Sequence, residues 1–125
     1  MADNVIYAYT REQALADGVL IDASALAKEA GFKWPVALTD HLYHSYIVPA
    51  LDLVAEGQSI TGRLWDLLQV LRYAIANSKD DTYLHFSVLF VMSPCAAPIP
   101  IEIISVAGPS DDRSPCITIM LPEDD

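Results

Sequence analysis

The chain has 125 residues, of which 53% are hydrophobic, and its 17 acidic side chains outnumber 7 lysines and arginines, for a formal net charge of -10. This length suits one domain, residues 1–125, whose apolar core needs no metal or disulfide. The acidic balance disfavours direct binding to nucleic acid or anionic lipid. Because no apolar run approaches the roughly 20 residues of a membrane span, and because the start does not resemble a signal peptide, we expect a cytoplasmic protein without a membrane segment.

Short helices are predicted in the first third of the chain. Thr10, with a glutamine three residues later, forms a capping box for a helix over 11–17. Residues 19–22 are predicted to be extended. Ser24 is predicted to cap a second helix that runs through residue 30, where a glycine follows.

The next segment is predicted to turn and then to form a third helix. Trp34-Pro35 indicates a structural corner, since proline restricts the residue before it to extended geometry. Thr39 is a candidate cap for a helix over 40–48 that a proline ends, and residues 50–55 either extend this helix or leave it. The sequence does not decide whether residues 5–7 form an additional edge strand.

The clearest helix is predicted over 61–77. Its apolar residues recur at spacings of three and four, which is typical of a helix with one buried stripe. The stripe consists of Leu64, Leu67, Leu68, Leu71, Ala74 and Ile75. The polar faces are predicted to carry Arg63, Asp66, Gln69, Arg72 and Tyr73.

The last third is predicted to be a sheet. From residue 83 to 92 the pattern has period two, so Phe86 and the other even-numbered residues are predicted to be buried in a central strand. Further strands are predicted over 101–106 and 116–121, and their short connections favour antiparallel pairing. The sequence therefore predicts an α+β fold. Short N-terminal helices and the long amphipathic helix would pack on one face of a mainly antiparallel sheet of three to four strands.

Several blocks of the sequence resemble a known family. The blocks are residues 6–11, 14–22, 27–39, 62–66, 107–112 and 117–124. Together they are similar to small proteins of unknown function carried by bacterial plasmids, integrative elements and phages. The resemblance implies that the protein comes from a mobile genetic element in a bacterial host, and it brings no catalytic residues with it.

Two surfaces are candidates for binding a partner. The first is a solvated carboxylate patch that forms if the turn at 108–115 lies near the C-terminus. Its members are Asp111, Asp112, Glu123, Asp124 and Asp125. Replacing Asp111, Asp112, Glu123 and Asp124 by amides is expected to leave the fold intact. The second is the exposed side of the long helix, with Asp66, Gln69 and Tyr73.

No residue pattern predicts a catalytic centre, a metal site or a cofactor. His41 and His44 have a spacing that suits two metal ligands on a helix, but a zinc site needs at least a third ligand, and His85 belongs to another element. Cys95 and Cys116 are spaced neither like zinc ligands nor like a local catalytic motif, and we expect free thiols.

These observations favour a non-enzymatic protein, monomeric or homodimeric, that binds a protein partner with a basic surface. Given the mobile-element context that the resemblance implies, we expect it to inhibit a host defence nuclease complex, as anti-CRISPR or anti-restriction proteins do. The alternative is an accessory protein of replication, maintenance or transfer that acts on an element-encoded partner. A small enzyme is a third, weaker alternative.

Overall fold

The computed structural model describes residues 10–79 and 82–125. The elements, in chain order, are α1 (Arg11–Ala16), β1 (Leu20–Asp22), α2 (Ser24–Glu29), β2 (Val36–Thr39), α3 (Asp40–Leu42), a π-helical turn (Tyr43–Ile47), α4 (Leu51–Val54), α5 (Ile60–Ala76), β3 (Tyr83–Phe90), β4 (Ile99–Pro109), β5 (Pro115–Met120) and a 3-10 turn (Pro122–Asp124). The edge strand considered at residues 5–7 lies outside the described residues.

The five strands form one mixed sheet in the order β1-β2-β5-β4-β3. β2 runs parallel to β5, with Leu38 opposite Ile119, and the other neighbours are antiparallel. The α+β class is confirmed, but the predicted number of strands, three to four, was too low, and the sheet is mixed because one pair of strands is parallel. β2 has no polar alternation because all four of its residues are buried, so the period-two pattern that reveals a half-exposed strand is absent.

The position predicted for the strand at 83–92 was wrong. β3 is an edge strand among those described, and β5 holds the centre of the sheet. Because β2 joins the sheet beside β5, it makes β5 an interior strand, and the β3–β4–β5 meander extends outward on the other side.

The caps of the first two helices differ in kind. The Thr10 side chain accepts from the backbone N–H of Gln13, and the Gln13 side chain accepts from the N–H of Thr10, so the predicted capping box is present. α2 instead begins at Ser24, whose hydroxyl bonds both the N–H and the carbonyl of Val36. The prediction that Ser24 caps α2 was wrong because this hydroxyl ties α2 to β2.

The predicted third helix is confirmed over most of its length. Thr39 caps it by accepting from the N–H of Leu42, at 3.2 Å. The helix then widens into the π turn, in which the N–H of Val48 reaches the carbonyl of Tyr43. Pro49 follows, and since proline has no backbone N–H to donate, the helix ends here.

The core lies between α5 and one face of the sheet, the core face. Leu67, Leu68 and Leu71 of the predicted stripe are fully buried, and they belong to the same apolar cluster as Val88 of β3. The odd-numbered residues of β3 are exposed, so the predicted even-numbered core face is confirmed. Phe86 is only partly buried, since β3 lies at the edge of the sheet.

Arg63 was predicted on a polar face of the long helix, and this was wrong because it is only 4% exposed. Its Nε donates to the carbonyl of Tyr46 at 2.8 Å. Its Nη1 donates to the carbonyl of Val91 at 2.9 Å and to Oε1 of Gln58 at 3.1 Å. The guanidinium lies 5.1 Å from the centre of the Phe90 ring. Arg63 therefore connects α5, the π turn and the end of β3.

The helices do not all pack on one face of the sheet. Ala14 of α1 forms a small separate cluster with Leu20 and Ala37. In addition, Arg11 donates to the hydroxyl of Thr118 at 2.7 Å. Side chains that lie directly opposite in the ladder share a face, so these contacts place α1 on the second face, away from α5.

Candidate functional site

The carboxylate of Asp124 organises the C-terminal end of the chain. Its Oδ2 accepts from the hydroxyl of Thr39 at 2.8 Å and from the backbone N–H of Leu121 at 3.1 Å. Its Oδ1 lies 2.9 Å from Nδ1 of His41. These contacts hold the 3-10 turn against the end of β2 and the start of α3.

Three other acidic residues lie around this contact. Glu123 and Asp40 act on His41 through their charges, and Asp125 accepts a hydrogen bond from the hydroxyl of Tyr83 at 2.8 Å. We call Asp40, Glu123, Asp124 and Asp125 the C-terminal acidic surface. The pKa of His41 is raised chiefly by its hydrogen bond to Asp124, with the charges of Asp124, Glu123 and Asp40 adding to it and partial burial opposing it.

The β4–β5 turn uses its two aspartates differently. Asp111 accepts from the backbone N–H groups of Arg11 and Glu12, both at 2.9 Å, so it binds the first turn of α1 with both oxygens. Asp112 accepts from the hydroxyls of Ser110 and Ser114 and from the N–H of Ser114, and these bonds lower the pKa of Asp112 to about 2.

The five carboxylates predicted as one patch are divided between two ends of β5. Asp111 and Asp112 precede the strand and Glu123 to Asp125 follow it, while its six residues span roughly 17 Å. The expectation that Asp111, Asp112, Glu123 and Asp124 are merely solvated was wrong for two of them, because Asp111 and Asp124 hold α1 and the C-terminal turn in place. Partner binding by any of them stays a prediction.

The second predicted surface lies on α5. Asp66 is exposed, Gln69 is half-buried, and Tyr73 is 73% exposed. Trp65 lies partly buried against the main core. Asp66 also borders a cavity of about 480 Å³ at the start of α5, and its charge opposes the lowering of the pKa of Arg63 that burial causes.

Sequence reasoning missed a cleft at the end of the sheet, where Trp34 is 45% exposed. Trp34 lines two adjoining cavities of about 240 and 340 Å³, which we call together the Trp34 cleft. The first cavity is lined by Phe32, Lys33, Trp34, Ile75, Ala107 and Ile117. The second is lined by Trp34, Thr82, Ala107, Gly108, Pro109, Arg113 and Pro115.

The sequence indicates only some of the residues that line this cleft. Phe32, Lys33 and Trp34 are consecutive, and an aromatic residue on each side of a lysine is compatible with a binding surface. Trp34-Pro35, however, reads first as a corner. Nothing in the sequence brings Arg113 to the same place, because that proximity depends on the β4–β5 turn reaching the end of the sheet beside Trp34.

The histidines and cysteines of the described residues do not converge. His44 contacts the ring of Tyr43, His85 stacks on Tyr83, and both thiols are free. Burial raises the pKa of the Cys116 thiol. In residues 10–79 and 82–125, no three His, Cys, Asp or Glu side chains are grouped so that they could hold a metal ion.

The fold and these surfaces define an α+β protein with a five-stranded mixed sheet, an anchored acidic surface and a separate apolar cleft bordered by cations. None of the helices in the described part of the chain combines the length and apolar character needed to cross a bilayer. Over residues 1–125, the chain matches the family of unknown function DUF6573, and it belongs to that family. No curated protein and no solved structure matches it.

Proposed function

We propose that this protein is a non-enzymatic factor of a mobile genetic element that acts in the bacterial cytoplasm by binding a protein partner. The C-terminal acidic surface binds a basic surface of that partner. The target class that we propose is a host defence nuclease complex, as for anti-CRISPR or anti-restriction proteins. The observation that carries the proposal is the anchoring of Asp124 by Thr39, Leu121 and His41, which holds the turn that carries Glu123 and Asp125 against the end of β2.

Charge and rigidity both support this assignment. The net charge of -10 attracts a cationic partner at long range and accelerates association. A preorganised set of carboxylates loses little conformational freedom on binding, so more of the electrostatic attraction remains as affinity. A nuclease has a cationic groove for phosphates, and carboxylates on an anchored turn can compete for it.

The partner is identified by affinity capture of the tagged protein from a host lysate and from cells that carry the mobile element. A host nuclease complex is the expected partner. Capture of an element-encoded replication, maintenance or transfer protein instead would favour the accessory function, and capture of neither would contradict the proposed target class.

The binding surface is tested with a double variant, Glu123→Gln with Asp125→Asn, which removes two charges and leaves Asp124 and its anchors intact. The matched control is Glu29→Gln with Glu56→Gln, which removes two exposed charges elsewhere. We expect the first variant to associate roughly tenfold more slowly with the captured partner and to show a weaker salt dependence, and the control to resemble the wild type. Equal association rates for both variants would contradict the proposed surface.

A further inference from the structure

We propose that the Trp34 cleft binds a small organic acid, that is, a carboxylate attached to a short aliphatic or aromatic body. The apolar cavity of about 240 Å³ has the side chains of Phe32, Trp34, Ile75 and Ile117 for the body. The adjoining cavity of about 340 Å³ has Arg113 for the carboxylate. This site is independent of the acidic surface described above.

The charge distribution supports an anionic ligand. The chain has only seven lysines and arginines in a protein of net charge -10, and two of them border this cleft. Lys33 lines the apolar cavity, and Arg113 lines the other. Among the described residues, the ion pair that forms is the one between His41 and Asp124. Within that part of the chain, neither Lys33 nor Arg113 is paired with a carboxylate. Asp112, in the same turn as Arg113, has its carboxylate engaged by Ser110 and Ser114.

The backbone of Arg113 provides a second argument. Its φ is 68°, in the left-handed region that glycine and asparagine adopt more readily than a long side chain does. Its N–H donates to the carbonyl of Ser110 at 2.9 Å, so the turn fixes this conformation. A glycine at this position would avoid the backbone strain but would not provide a guanidinium. A ligand that contacts the guanidinium would account for an arginine at a strained position.

The backbone around the cleft favours a small acid over a peptide. An extended peptide would add to a free edge of a sheet, but the N–H of Ala107 already donates to Thr82 and that of Ile117 to Pro35. Pro109 and Pro115 lie opposite each other at the end of the β4–β5 ladder, and neither has an N–H to offer. This surface can therefore offer side-chain contacts to a ligand that has an apolar body and one carboxylate.

The test is an NMR titration of the isotope-labelled full chain with hexanoate. Hexylamine has the same body with the opposite charge, and acetate has the same charge without the body. We expect hexanoate to give saturable shifts at the Trp34 indole, Ala107 and Gly108, while the Trp65 indole stays unchanged. We expect binding of the two comparison compounds to be at least about tenfold weaker. Equal binding of hexylamine, or no saturable shift at Trp34, would overturn the proposal.

Two variants test the cations. Arg113→Gly should weaken hexanoate binding about tenfold while leaving the melting temperature equal or higher, since φ suits glycine. Lys33→Gln should also weaken binding, and Lys28→Gln, which removes an exposed charge from α2, should not. Unchanged affinity in both Arg113→Gly and Lys33→Gln would overturn the assignment.

The same titration distinguishes other occupants. An acetylated pentapeptide that ends in leucine with a free carboxylate, binding more tightly than hexanoate, would reassign the cleft to the C-terminus of a partner. Shifts of the Trp34 indole on raising the protein concentration without ligand would reassign it to a second copy of the chain. Either result would overturn the proposal of a small acid.

Discussion

Replacing Arg63 by alanine should be among the most destabilising single changes in α5. The side chain is 4% exposed and connects three parts of the chain through the carbonyls of Tyr46 and Val91 and the amide of Gln58. Alanine removes every one of these donors and leaves a gap beside Phe90.

The expected loss follows from these contacts. An acceptor left without a donor in a buried place costs about 1 to 3 kcal/mol, so the carbonyls of Tyr46 and Val91 together account for roughly 2 to 6 kcal/mol. Loss of the guanidinium from the Phe90 ring adds about 1 kcal/mol. Among the described residues no carboxylate lies within ion-pair distance of Arg63, so removing this buried cation offsets part of the sum. The net loss in the free energy of unfolding should be about 3 to 5 kcal/mol.

Urea unfolding followed by circular dichroism measures this loss. Arg72→Ala is the matched control, because Arg72 is exposed on the same helix, and it should change stability by less than about 1 kcal/mol. Arg63→Met fills the volume without donating hydrogen bonds and should still lose about 2 kcal/mol. A loss below about 1 kcal/mol for Arg63→Ala, or wild-type stability for Arg63→Met, would refute the reasoning.

Four further predictions concern other parts of the molecule. Asp111→Ala should cost about 1 kcal/mol in urea unfolding because it removes the acceptor of the first two N–H groups of α1, whereas Glu123→Ala should cost almost nothing; equal losses would contradict this role of Asp111. Because the pKa of His41 is raised in the folded state, its stabilising contribution is present below its unfolded pKa and is lost as pH rises through the folded pKa. The melting temperature of the wild type should therefore fall more than that of His41→Gln between about pH 6 and pH 9, and parallel curves would exclude this linkage. Phe86→Ala should cost about 2 to 3 kcal/mol in urea unfolding, less than for a fully buried phenylalanine, and a loss below about 1 kcal/mol would contradict its packing. Excess chelator should leave the melting temperature unchanged, and a drop of several degrees would indicate a structural metal.

Local signals predicted the helices well. The exchange of hydrogen bonds between Thr10 and Gln13 involves residues three apart, and the leucine stripe of α5 repeats within one helix, so both are legible over a few residues. The outcome for Ser24 shows the limit of such signals. A hydroxyl before an apolar run is typical of a cap, but here the side chain bonds Val36, twelve positions away, and only the fold decides which partner it takes.

The candidate site depended even more on contacts between distant residues. Asp111 reads as a solvated turn residue, yet its carboxylate binds the start of α1 a hundred positions earlier. Arg63 reads as a member of an exposed helix face, yet it lies beneath the π turn and the end of β3. In both cases the residue type and the local pattern are compatible with a side chain that only water contacts. The bonds of Asp111 and the burial of Arg63 both come from elements that local periodicity cannot position.

The sequence by itself determined the α+β class, the capped first helix, the buried stripe of α5 and the core side of β3, because each depends on a periodicity or a cap within one element. The tertiary structure alone decided that β2 pairs parallel to β5, that β3 lies at an edge, and that the acidic residues occupy two ends of β5. It also decided that Trp34 and Arg113 meet at one cleft. Pairing between strands far apart in the chain depends on the total burial that the assembled sheet achieves, and no short segment carries that information.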